Sequence, residues 1–261
     1  AALAPDGSWR KLGLAEPAIL DLARRVREEA PGWGVDYGPR RLALMAELLH
    51  APRAPLRELA LRDIDQASYA VLRTLPYPAS AQRLLHELSL PVNQPLASIR
   101  ILLLGLRAED AAREGARSYV RRAADAPAGM AEHLGPFATA LIELDGPSGV
   151  ALLEEALLSD PDQPLETLTG PVEAMAIHHG LGEPARARAV TAALTRFVAA
   201  RPEGAVLVAR HFGSRYDWSQ AASLSPLLSH PALRGSGGLL PVALYVAQAR
   251  HAGVLPMPSD G

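Results

Sequence analysis

What most constrains the fold of this chain is a recurrence. Ala- or Leu-rich stretches end in short Pro/Gly breaks near Leu49, Leu75, Leu106, Leu144, Leu181 and Gly213, and each break leads into a more charged amphipathic segment. The intervals are 26, 31, 38, 37 and 32 residues, averaging about 33, the length of a helix-turn-helix repeat. A second marker runs alongside. Pro136, Pro171 and Pro241 each stand where the first helix of a unit would begin, 35 and 70 residues apart. Proline suits a first helical position because its missing N–H would be unpaired there anyway.

The segments between breaks carry helical periodicity. Ile19, Leu22, Ala23 and Val26 form one apolar stripe, with Asp21, Arg24, Arg25 and Glu28 facing away. The same i, i+3, i+4, i+7 pattern recurs in Ala81, Leu84, Leu85 and Leu88 and in Ala112, Gly115, Ala116 and Tyr119, and appears as i, i+4, i+7, i+8 in Val190, Leu194, Phe197 and Val198. No sustained alternation or Val-Ile-Thr cluster flanked by hairpin turns argues for strands. Aromatics are only 5% of a chain that is 49% hydrophobic, so the apolar content is mostly Ala, Leu and Val, which favours helix packed on helix. At 261 residues the chain can bury a core without staples. The absence of cysteine excludes disulfides, thiolate nucleophiles and Cys-ligated metals.

The middle of the chain shows the unit most clearly. Pro136-Phe-Ala-Thr-Ala-Leu-Ile-Glu-Leu, the break Asp145-Gly-Pro, Ser148-Gly-Val-Ala-Leu-Leu-Glu-Glu-Ala-Leu-Leu and then Ser159-Asp-Pro-Asp resemble the HEAT-like family of α-helical repeats. The unit from Pro171 through Ala200 matches in outline, and the likeness extends over residues 40–250. It rests on Ala/Leu/Asp-Pro patterning. Tetratricopeptide anchors do not fall at their required offsets. The expected fold is all-α, a right-handed, HEAT-like α-solenoid of about six stacked antiparallel helix pairs. The alternative is an irregular bundle with evenly spaced proline loops. Residues 1–14 read as an N-terminal arm, 15–251 as the repeat domain and 252–261 as a tail, with Arg234-Gly-Ser-Gly-Gly238 a loop breaking the last unit.

Charge narrows the function classes. Twenty-six basic against 28 acidic residues leave a net charge of −2, which supplies no general field for a polyphosphate backbone, so nucleic acid is disfavoured. The strongest apolar run, Ile101 to Leu106, is bracketed by Arg100 and Arg107 and is too short to span a membrane. The opening Ala-Ala-Leu-Ala-Pro-Asp-Gly has the look of a mature end after small-residue cleavage, which points toward export. An excised domain would begin the same way.

No G-x-S-x-G elbow, Walker loop, dinucleotide fingerprint or H-E-x-x-H is present. The pair His86-Glu87 resembles those with which HEAT-like hydroxylases bind di-iron. That family needs several such pairs and this chain has one, beside a reversed Glu132-His133, so no metal and no cofactor are expected. His178-His179 ends an apolar helix, where histidines cap free carbonyls and meet the helix dipole. As metal ligands they would need a carboxylate orienter that nothing nearby supplies.

The cluster Arg215-Tyr216-Asp217-Trp218 joins a cation, two aromatics and a carboxylate, the chemistry of binding hot spots. HEAT-like DNA glycosylases use Asp, Trp and Tyr on a basic concave face. The structural alternative has Asp217 capping the next helix and Trp218 packing between units. Arg113, Arg117, Arg121 and Arg122 form a basic helical face, either solvated or a dock for an acidic partner. The first reading is therefore a non-catalytic scaffold holding another protein or peptide, with Arg117, Arg121, Tyr216, Asp217 and Trp218 as binding residues. The second is a HEAT-like enzyme or nucleic-acid-binding repeat protein using Tyr216, Asp217 and Trp218 with nearby arginines.

Overall fold

The computed structural model describes residues 2–3, 9–10, 17–33, 38–77, 79–125, 132–234 and 238–256. Most of the expected arm 1–14, residues 235–237 of the 234–238 loop and the end of the expected tail lie outside the described residues. Regular structure among the described residues is helical, apart from one antiparallel pairing of Ala2–Leu3 with Trp9–Arg10. The chain divides into two compact units, Ala1–Pro78 and Ala79–Gly261.

The first unit holds α1 (Pro17–Glu29), α2 (Pro39–Leu49), α3 (Ala54–Ile64) and the single turn α4 (Tyr69–Leu72). Proline within the first two residues starts α2 and α3, where its fixed φ is already helical. Ser68 caps α4 through its hydroxyl. Helices α2 and α3 pack on each other and bury Leu44, Met45, Leu48, Ala60, Leu61 and Ile64. Arg41 grips Asp63 across this pair with two hydrogen bonds of 3.0 and 2.7 Å. The stripe on α1 is only partly consumed: Leu22 is buried, but Ile19 is 41% exposed.

The second unit holds α5 (Ala81–Leu88), α6 (Ala97–Gly105), α7 (Asp110–Asp125), α8 (Leu134–Asp145), α9 (Pro147–Leu153), α10 (Leu165–His179), α11 (Pro184–Ala200), α12 (Ala205–Gly213), the single turn α13 (Ala221–Leu224) and α14 (Leu239–His251). Neighbours in sequence pack as pairs, and so do alternate helices. Helix α8 lies against both α6 and α10, α10 against α12, and α12 against α14; on the other side α9 lies against α11 and α11 against α13. The breaks read from sequence fall at helix ends or in connections. Leu49 and Gly213 are last residues of their helices, Leu106 and Leu181 follow α6 and α10, Leu144 is next to last in α8, and Leu75 lies between α4 and α5. The break Asp145-Gly-Pro is a hard corner, because Gly146 has φ of 58° and ψ of −130°, a conformation open only to glycine.

Small residues set how closely the alternate helices approach. A Cβ on Gly105 of α6 would lie 2.6 Å from the Ala140 Cα of α8. One on Gly170 of α10 would lie 2.7 Å from both the Cα and the backbone N of Gly135 in α8. Beside Gly170 the structure departs from the expected helix start. Pro136 and Pro241 are third residues of their helices, but Pro171 is inside α10, which starts six residues earlier at Leu165. The stretch Leu165-Glu-Thr-Leu-Thr-Gly170 has the polar, β-branched composition of a loop, yet burial of Leu168 and Val172 at 0% exposure draws it into the helix. Helix α9 ends in a wide π-type turn, Glu154–Leu158, closed by a 2.9 Å bond from the Ser159 N–H to the Glu154 carbonyl.

Candidate functional site

The groups singled out in sequence converge in part. Helix α12 stops at Gly213, and the chain turns through residues 214–220 toward α13, the N–H groups of Arg215 and Asp217 both returning to the Phe212 carbonyl at 3.0 and 3.1 Å. That turn forces Tyr216 to φ of 55°, a left-handed conformation that costs a non-glycine residue about 1–2 kcal/mol. Its side chain is 82% exposed. Trp218 stands edge-on to Tyr216, with ring centres 6.3 Å apart, and is backed by the buried Tyr245 of α14 at 5.2 Å. The aromatic pair thus has one fixed member resting on the core and one in solvent.

Asp217 points the other way. Its Oδ2 accepts from His179 Nδ1 at 2.5 Å, and its Oδ1 accepts from the Ser219 N–H at 3.0 Å. His179 is the last residue of α10, so the orienting carboxylate that no neighbouring residue offers arrives from 38 positions away. The other imidazole nitrogen, Nε2, lies 3.3 Å from the Thr191 hydroxyl of α11, and that hydroxyl accepts from the Gln220 amide at 3.3 Å. Tyr245 donates to the Asp217 carbonyl at 2.6 Å and accepts from the Gln220 N–H at 3.2 Å; burial pushes its hydroxyl pKa above the usual range. With Nδ1–H on Asp217 and Nε2 accepting from Thr191, both imidazole nitrogens are satisfied, while the buried Gln220 Oε1 has no hydrogen-bond partner among the described residues. The order hydroxyl, imidazole, carboxylate is that of a proton relay, and here it joins α10, α11 and the 214–220 turn. Asp217 therefore holds the turn that displays Tyr216.

Burial raises the Asp217 pKa, but the hydrogen bonds from His179 and Ser219 outweigh it, and the carboxyl sits below its ordinary value. A depressed carboxyl stabilises the fold above the unfolded value of about 3.9 and loses that contribution as pH falls through the folded value. Asp217→Asn should accordingly be less stable than the parent near neutrality, with the gap closing as pH drops below about 4. Denaturation midpoints across that range read it directly; a gap independent of pH would remove the His179–Asp217 account.

A second polar cluster lies one helix pair back. His178 is fully buried, with Nε2 donating to the Thr139 carbonyl at 2.9 Å and Nδ1 accepting from Arg186 Nη1 at 3.0 Å. Arg186, whose side chain is 7% exposed, also reaches Glu183 at 3.1 Å and Glu143 at 3.6 Å. Arg100 is buried as well, held by Glu87 and by both oxygens of Asn93.

On α7, Arg117 binds Asp145 at 2.7 Å and Arg113 lies 3.7 Å from the same carboxylate, which is 5% exposed. That hydrogen bond raises the Arg117 pKa. Half of the basic face thus neutralises the C-terminus of α8, while Arg121 and Arg122 are exposed. Arg117 is engaged with α8, and Asp217 and Trp218 with α10 and α14, so the arginine face and the aromatic cluster are two places. His86 is exposed, and its neighbour Glu87 is taken by Arg83 and Arg100. Among the described residues no three His, Asp or Glu side chains gather as a metal would need, and no helix is long and apolar enough to cross a membrane. No protein-family model, no curated protein and no solved structure matches this chain.

Proposed function

We propose that the second unit is a HEAT-like solenoid acting as a non-catalytic scaffold, and that it holds a partner protein or peptide at Tyr216 and Trp218. The packing of alternate helices supports the solenoid reading. So does the spacing of ion pairs between successive helix pairs: Glu154 with Arg196 and Glu173 with Arg215, each 42 residues apart, the length of a HEAT unit. The observation that carries the binding reading is Tyr216, a large aromatic group projecting into solvent from a strained backbone. Such strain persists where the surroundings enforce it and clusters at ligand contacts. Trp218 supplies the rigid, half-buried neighbour typical of a hot spot, and Arg121 is a separate anchor for an acidic partner. A nucleic-acid-processing role for Asp217 is less well supported, because both of its oxygens are engaged inside the fold.

Tyr216→Gly separates binding from folding. Glycine accepts the positive φ, so stability should stay within about 1 kcal/mol of the parent, while partner affinity should fall by about 1–3 kcal/mol. Proteins retained from the native source by immobilised parent should be lost from the Tyr216→Gly column. If both columns retain the same set, the aromatic pair is not the docking site.

A further inference from the structure

The first unit contains a cavity that the scaffold reading does not use. The α1 stripe Ile19, Leu22, Ala23 and Val26 faces Trp33, Met45 of α2 and Leu59 of α3 across a space of about 510 Å³. Ligand cavities run from about 300 to 1,000 Å³ and are mostly apolar with a few polar groups that fix orientation. Here the polar groups gather on one side: Arg62 and Asp63 in the last turn of α3, and Gln66 just beyond it. Leu59 is 44% exposed and, with Ile19, leaves aliphatic surface open at the mouth.

The charge at that edge has a definite sign. Asp63 is neutralised by the two hydrogen bonds from Arg41, whose guanidinium also sits 5.6 Å over the Trp33 ring. Arg62 is exposed and forms no ion pair among the described residues. The edge therefore presents one uncompensated guanidinium and a side-chain amide beside an aliphatic wall. We propose that this cavity binds a free, monomeric long-chain monocarboxylate, its hydrocarbon chain along Ile19, Val26 and Leu59 and its carboxylate on Arg62 with Gln66 donating. An alkyl ammonium would meet the wrong charge at the edge, and an alkanol would forgo the charge-assisted hydrogen bond.

The test uses the full chain and a bromine-labelled dodecanoate kept below its micellar concentration, read through tryptophan emission. Saturable quenching is expected, lost in Trp33→Phe because that ring lines the cavity. Arg62→Glu should weaken binding about tenfold or more, the loss of one charge-assisted hydrogen bond. Ala23→Phe, at an exposed position on α1, should fill the space and abolish quenching with an unchanged circular dichroism spectrum. Dodecyltrimethylammonium should compete at least about tenfold more weakly than unlabelled dodecanoate. The proposal is overturned by non-saturable quenching, by quenching that survives Trp33→Phe or Ala23→Phe, or by equal competition from either head-group charge. Binding only to acidic vesicles, or only to an acidic peptide, with no response to monomeric dodecanoate would overturn it too.

Discussion

Gly170→Val is expected to destabilise the second unit by about 3 kcal/mol or more, although helix propensity alone predicts a gain. Replacing an interior helical glycine relieves a backbone-entropy cost worth up to about 1 kcal/mol. Against that, the first added carbon would stand 2.7 Å from two backbone atoms of Gly135. Backbone atoms cannot rotate aside as a side chain would. Helices α8 and α10 must separate along their crossing, giving up contacts of the fully buried Leu141, Leu168 and Val172. Overpacking of this kind costs about 1–3 kcal/mol for each small intrusion and more when branched atoms are added. Gly180→Ala is the control, since its Cβ would meet only carbonyl oxygens at 3.7 Å and beyond, and it should move stability by less than about 0.5 kcal/mol. Urea denaturation of the two variants decides the matter. Equal midpoints would mean that the α8–α10 crossing is looser than the structure has it.

Arg186→Ala should cost about 3–5 kcal/mol, the penalty for removing one partner from a buried charged group. Its guanidinium satisfies His178 Nδ1 at 3.0 Å and stands within 3.6 Å of Glu143, whose side chain is only 14% exposed. Without it a carboxylate and an imidazole nitrogen would face each other 3.8 Å apart with the guanidinium gone from a largely buried site. Changing Glu143 to Gln in the same chain should return part of the loss, because an amide carries no charge to strand. A double-mutant cycle measured by chemical denaturation gives the coupling, and strict additivity would show that the cluster is not one network.

The sequence makes the breaks legible because proline and glycine act locally: Asp145-Gly-Pro forms its corner whatever packs against it. The apolar stripes at Ala112 and Ala116, and at Val190, Leu194, Phe197 and Val198, are buried as their spacing implies. What local reading loses is anything that packing decides. Pro171 carries the mark of a helix start, yet Leu168 is buried against the core and pulls the preceding turn into the helix. Arg100, Arg186 and Asp145 have the chemistry of surface residues, and most of their partners sit 7 to 43 residues away. The carboxylate on His179 belongs to the same class. Its separation of 38 residues matches the longest interval between breaks, so the spacing of the breaks contained the hint, but pairing two side chains requires knowing how the helices lie. Of the reading of residues 215–218 as structural, Trp218 does lean on a neighbouring helix, while Asp217 bonds the N–H two residues on and a histidine of the preceding helix pair. Tyr216 alone stands clear, and nothing in its local sequence announces a positive φ.

The wide turn that closes α9 has a bearing on how the chain tolerates changes in length. A π-type turn holds one residue more than an α-turn, and each extra helical residue rotates all later side chains of the helix by about 100°. At Glu154–Leu158 the rotation is absorbed within a single turn: Leu153 before it and Leu157 and Leu158 at its end are all buried, while Glu154 still reaches Arg196. The turn is thus a place where a one-residue insertion leaves no trace beyond its own loop of backbone. Excising Glu155, which is exposed, would return the segment to regular α-helix and swing Leu157 and Leu158 out of phase with α11. Where helices pack on one another along their length, single residues gained inside a helix threaten every later contact, and this turn works as an expansion joint that confines such a change to where it arose.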